Sequence, residues 1–181
     1  LLLIAGALPA AAQTERCPDA AALFADGLYD RAAAAYECLL PFAEQRNKEE
    51  EYVYLFAETA FRAQRPERAK KLLENLLKAG KPPENPYFYF LLGQCSHLME
   101  DYDAAVKYYA QGAPFATMPY YAAMFDYYAA ISQLAAGQIQ PAGDSIEKAC
   151  LTDTLLAGII AHNLTDLLVH SKPLKELIDE E

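Results

Sequence analysis

His162, Asp166 and His170 stand four residues apart, so on a helix their side chains share one face. Two imidazoles and a carboxylate are a zinc-binding set. That face lies opposite the apolar stripe Leu156, Ile160, Leu164 and Leu167, where an amphipathic helix carries polar residues in any case. No metal site and no cofactor are therefore expected. His97 is isolated and is expected to pack or to meet solvent. The other reactive groups are four cysteines, Cys17, Cys38, Cys95 and Cys150. The sequence contains no Gly-x-Ser-x-Gly, no phosphate-cradling glycine loop, no His-Glu-x-x-His and no Cys-x-x-Cys. No catalytic residue is expected, and the chain reads as a non-enzyme.

Composition narrows the partners. The 181 residues are enough for a real core, and 54% hydrophobic with 22% charged residues describes a globular chain. With 15 Lys+Arg against 25 Asp+Glu, the formal net charge is −10. Phosphate backbones and anionic lipid surfaces both require a basic face, so nucleic acid and membrane adhesion are not expected. Residues 1–12, LLLIAGALPAAA, read as a signal-peptide remnant with cleavage after Ala12, the run being too short to span a bilayer. A periplasmic or secreted location follows as an expectation, and it makes disulfides permissible.

The elements that hold these residues are helices. Apolar residues recur at three- and four-residue spacing in blocks punctuated by Gly27, Arg65-Pro66, Lys81-Pro82-Pro83, Asp101 to Asp103, Thr117 to Pro119 and Gly137. The blocks repeat. Ala32, Ala69, Ala105 and Ala142 are separated by 37, 36 and 37 residues. Twelve residues before them stand Ala20, Ala57, Gly93 and Ala130, all small. Four residues after them stand Tyr36, Leu73, Tyr109 and Ile146, all large. Three before them stand Tyr29, Pro66, Tyr102 and Ile139. A small residue facing an anchor alanine lets two antiparallel helices approach closely, and the large residue one turn on fills the space beside them.

This pattern resembles the tetratricopeptide repeat, most clearly in YFLLGQCSHLMEDYDAAVKYY through Tyr89, Leu92-Gly93, Tyr102, Ala105 and Tyr109. The first unit matches through Gly27, Tyr29, Ala32 and Tyr36, with a short first helix. The second departs at Pro66 and the fourth at Ile139 and Gln133. The resemblance covers roughly residues 17–152. It implies an all-α fold: a right-handed superhelix of antiparallel helix hairpins, a tetratricopeptide-like α-solenoid. Residues 13–152 supply about four repeats, and 153–181 supply a capping helix and tail whose N-cap is Asp153. A fifth repeat with a second helix beginning near Pro173 is the alternative.

Cys17 and Cys38 lie at nearly equal distances from the turn at Gly27 and Leu28, so a disulfide across the first hairpin is expected. Cys95 and Cys150 fall on different hairpins and are expected to be buried free thiols. The resemblance further implies an inner groove that grips a peptide or a partner surface. Counting back fifteen residues from the last three anchors gives Tyr54, Phe90 and Tyr127. Eleven back gives Glu58, Gln94 and Ile131, and eighteen back gives Glu51, Tyr87 and Met124. Members that clamp a terminal carboxylate need Lys, Arg and Asn at such places; Arg62 stands alone, so that mode is not expected. An aromatic groove suits a peptide with apolar anchors. The alternative, aromatics that pack between repeats, stays open. The function expected is a non-catalytic protein-interaction scaffold in the cell envelope. The alternatives are an accessory repeat domain of a longer enzyme or sensor, and a metal-binding protein using His162 and His170.

Overall fold

Every hairpin closes on one backbone device. Five residues before each anchor alanine, Gly27, Gln64, Glu100 and Gly137 adopt φ of 73°, 60°, 60° and 74°. The N–H of the next residue then reaches back five residues: Leu28 to Leu23, Arg65 to Ala60, Asp101 to Ser96 and Gln138 to Gln133, at 2.8–2.9 Å. This is the Schellman closure of a helix C-terminus, which uses carbonyls the helix itself cannot satisfy. Glycine takes the left-handed position freely, whereas Gln64 and Glu100 hold it at a cost of about 1–2 kcal/mol each.

The computed structural model describes residues 17–42, 49–79 and 83–170, with side chains up to residue 163. The proposed signal-peptide remnant at 1–12 and the tail after His170 lie outside the described residues. The described residues are helical, with no strand among them: α1 (Ala20–Ala25), α2 (Tyr29–Leu39), α3 (Glu49–Arg62), α4 (Pro66–Lys78), α5 (Pro86–Leu98), α6 (Tyr102–Gly112), α7 (Pro119–Ala135), α8 (Ile139–Thr152) and α9 (Thr154–His170). The second helix of each hairpin starts three residues before its anchor, at Tyr29, Pro66, Tyr102 and Ile139. Proline opens α4, α5 and α7, where its missing N–H would have had no helical partner. Side chains cap other starts. Asp19 accepts from Ala22 N at 3.0 Å, Asn85 from Tyr87 N at 3.0 Å and Asp153 from Leu156 N at 2.8 Å.

Two compact units divide the chain, Leu1–Pro83 and Glu84–Glu181. The first holds α1–α2 and α3–α4. Its core joins Ala33, Ala35 and Tyr36 of α2 to Phe56 of α3, with Ala20 beside them. Helix α1 has only six residues and is too short to be stable alone. The Cys17–Cys38 disulfide, Cα–Cα 5.9 Å, ties its entry to the end of α2. Closing that loop constrains the unfolded chain by about 3 kcal/mol.

The second unit holds α5–α6, α7–α8 and α9. Here the small-opposite-large pattern reaches its tightest form. A Cβ on Gly93 would stand 2.3 Å from Tyr109 Cε1, and one on Gly112 would stand 2.5 Å from Phe125 Cε1. All four anchor alanines, in both units, are wholly buried. Helix α9 packs through Leu156 and Ile160 against Ala123 of α7 and Ala149 of α8. Leu151, Leu155 and Ile159 remain exposed at this end. Among the described residues no helix is long and apolar enough to cross a membrane.

Candidate functional site

The side chains expected to line a groove are distributed by the fold into different environments. Glu51, Tyr54 and Glu58 sit on α3 in the first unit, where Glu58 Oε1 pairs with Arg62 Nη2 at 3.6 Å. The other six sit on α5 and α7 in the second unit. Phe90 is half-buried in an aromatic box. Its ring centroid lies 5.7 Å from Tyr109, 5.5 Å from Phe125 and 4.9 Å from Tyr128, the last two edge-on. Edge-to-face contacts at these distances add about 0.5–1.5 kcal/mol beyond area burial. Phe90 is thus fixed rather than free to rearrange. Tyr127 turns towards α9, where its hydroxyl accepts from Asn163 Nδ2 at 3.1 Å and its ring packs on the Leu156–Ile160 cluster. Gln94 and Ile131 are half-buried.

Tyr87, Phe90 and Met124 border a cleft of about 410 Å³. Its remaining wall comes from residues the repeat arithmetic did not single out: Pro86, Phe115, Met118, Tyr121 and Phe125, with Ala116 and Thr117. Two facts build it. Helix α7 starts at Pro119, a turn earlier than its repeat register, which adds Tyr120 and Tyr121 to its N-terminal end. The Ala113–Phe115 turn places Phe115 flat against Tyr89, 5.6 Å between centroids and 14° between planes. Tyr121 meets Tyr87 edge-on at 5.9 Å. A hydrogen bond to Tyr121, in which the Tyr87 hydroxyl donates, is the main cause that raises the Tyr87 phenol above its usual pKa. Tyr87, Met118 and Tyr121 are 49%, 56% and 40% exposed, an unusual density of large apolar surface at one mouth. The sequence mark nearest the added residues is the Thr117 to Pro119 break before α7.

Away from the cleft, the reactive groups are committed to structure. Ser132 Oγ donates to the Tyr128 carbonyl at 3.0 Å and lies 3.0 Å from His97 Nδ1. Ser132 is fully buried. His97 is half-buried, edge-on to Tyr102 at 5.4 Å, and its burial lowers its pKa. Burial likewise raises the phenol of Tyr109. Cys95 is buried and Cys150 half-buried, and neither is in a disulfide. His162 is exposed on α9, while the side chains of Asp166 and His170 lie outside the described residues. Among the described residues no three His, Cys, Asp or Glu gather into a metal-binding group.

Residues 54–119 match the family model of the tetratricopeptide repeat. The crystal structure of MamA superimposes with a TM-score of 0.64 at 17% identity, covering 76% of this chain and 75% of that one. At that identity the likeness shows the fold. No curated protein matches the chain.

Proposed function

We propose that this chain, whose residues 54–119 match the tetratricopeptide repeat model, is a non-catalytic scaffold that holds a partner protein at the mouth formed by α5, α7 and the turn between α6 and α7. The observation that carries this reading is the apolar cleft of about 410 Å³ with Tyr87, Met118 and Tyr121 exposed around it. Interface hot spots are aromatic or apolar side chains seated in pre-formed pockets, and rigid walls reduce the ordering cost of binding. Phe90 and Phe125 form such a wall, locked by mutual edge contact. The occupant is an apolar anchor side chain from a peptide segment of the partner. Work outside the cytoplasm, in the cell envelope, is part of the same reading, supported by the leader-like run of residues 1–12 and the Cys17–Cys38 disulfide.

A photo-crosslinking amino acid at position 121, compared with one at the exposed Lys107 on α6, tests the site. Expressed in native cells, position 121 should yield a partner adduct and position 107 should not. Tyr87→Ala with Met118→Ala should remove the adduct while the helical signal is kept. An adduct of equal yield in that double variant would overturn the reading.

A further inference from the structure

The repeat compares two hairpins at an offset of 37 residues. In the third hairpin the inward positions of α5 hold Tyr89, Leu92 and Ser96, all buried. The corresponding positions of α7 hold Asp126, Ala129 and Gln133. Tyrosine has become aspartate and leucine alanine, and the volume they would occupy is open. A cleft of about 550 Å³ lies there, floored by α7 and walled by α6 and α8. It shares Phe125 of α7 with the aromatic mouth and otherwise draws on different residues.

The polar groups of this cleft are arranged for a neutral ligand. Asp126 Oδ1 and Lys148 Nζ pair at 2.7 Å, so their charges cancel. The Thr152 hydroxyl is used on the Lys148 carbonyl at 2.8 Å. Gln133 lines the cleft, is 9% exposed, and its Oε1 is buried with no hydrogen-bond partner. An orphaned buried amide oxygen is a loss that folding alone does not recover, and native proteins keep few of them. A primary amide offers one acceptor and a donor side by side, the complement of a peptide group, and its last torsion turns easily. Ala110, Ala113, Ala122 and Ala129 line the cleft with side chains short enough for another backbone to come close, between the larger Val106, Pro114 and Phe125. From Ala122 to Gln133 the floor runs roughly 16 Å along the helix, the length of about five extended residues.

We propose that this cleft is a second binding site, taking an extended, small-side-chain peptide segment whose backbone amide pairs with the Gln133 carboxamide. Phe125 is the one residue it has in common with the lining of the aromatic mouth.

The probe is acetyl-tetra-alanine amide, titrated into the isotope-labelled full chain and followed by proton–nitrogen correlation spectra. Saturable shifts should centre on the Gln133 side-chain NH2 and the facing amides of α6 and α8. A peptide N-methylated at its central residues should bind about tenfold weaker, since it cannot donate. Gln133→Leu should lose the same factor. Ala110→Leu, at an exposed rim position that leaves the core intact, should block binding by filling the cleft. Tyr121→Ala should leave it unchanged. Absence of saturable shifts, equal binding of the N-methylated peptide, or unchanged binding in Gln133→Leu or Ala110→Leu would each overturn the proposal. So would a Gln133 that responds only to solvent exchange and never to peptide, which would mark the cleft as a water site.

Discussion

Replacing Gly93 by alanine should destabilise the second unit, although alanine is the better helix former by about 1 kcal/mol. The added Cβ would lie 2.3 Å from Cε1 and 2.6 Å from Cδ1 of Tyr109, where ordinary contact begins at 3.4 Å. The ring must therefore retreat by more than an ångström. It has nowhere to go: Phe90, Phe125 and Tyr128 stand 5.7, 6.4 and 6.1 Å away by centroid, and Tyr109 is only 1% exposed. Overpacking of this kind costs about 1–3 kcal/mol, and so large a displacement belongs at the upper end. Set against the propensity gain, the net loss is about 2 kcal/mol, or roughly 4–8 °C in Tm for a chain of this size. The second hairpin carries the alternative solution, Ala57 with Leu73. Tyr109→Leu should accordingly rescue Gly93→Ala, with a coupling energy of about 2 kcal/mol in a double-mutant cycle. Urea melts of the four proteins, followed by helical circular dichroism, measure it. A Gly93→Ala variant as stable as wild type, or strictly additive substitutions, would refute the packing argument.

Gln64→Gly and Glu100→Gly should each stabilise the chain by about 0.5–1 kcal/mol, as relief of the left-handed strain outweighs the added chain entropy; thermal melts that fall instead would show that these φ values carry no strain. His97 supplies a pH dependence. Burial holds its folded pKa below the ordinary 6.5, so the unfolded chain takes up the proton first. The neutral ring's contribution is complete above about pH 6.5 and is lost as pH falls from there through the folded-state pKa. Urea stability compared between wild type and His97→Gln from about pH 8 to about pH 5 should show a decline in wild type that the variant lacks; parallel curves would count against it.

The packing residues were legible because the repeat states them several times over. Ala32, Ala69, Ala105 and Ala142 are all wholly buried, and each second helix begins at the position read from its anchor. The turns were half legible. Gly27 and Gly137 announce a left-handed residue, but Gln64 and Glu100 adopt the same conformation with no sequence mark, because the surrounding closure imposes it. The candidate site was legible only in part. Tyr87, Phe90 and Met124 border the aromatic cleft as counting suggested, whereas Tyr127 is drawn to Asn163 of α9, a contact no single hairpin specifies. Tyr121 and Phe115 were missed because they lie outside the repeated register, in the early start of α7 and the turn before it. The departure at Gln133 was visible in the sequence, but its buried, unpaired oxygen became visible only with three helices around it.

The shared closure also makes the chain self-reporting. Leu28, Arg65, Asp101 and Gln138 donate their amides into the same bond at the same place in successive hairpins. Each of those four hydrogens exchanges with solvent when its own closure breaks. Their relative exchange rates therefore give the free energy of opening hairpin by hairpin, with the chemistry of the bond held constant. Few chains carry such an internal standard. It turns cooperativity along the array into four numbers from one spectrum, and a ligand that grips one hairpin would slow its amide first.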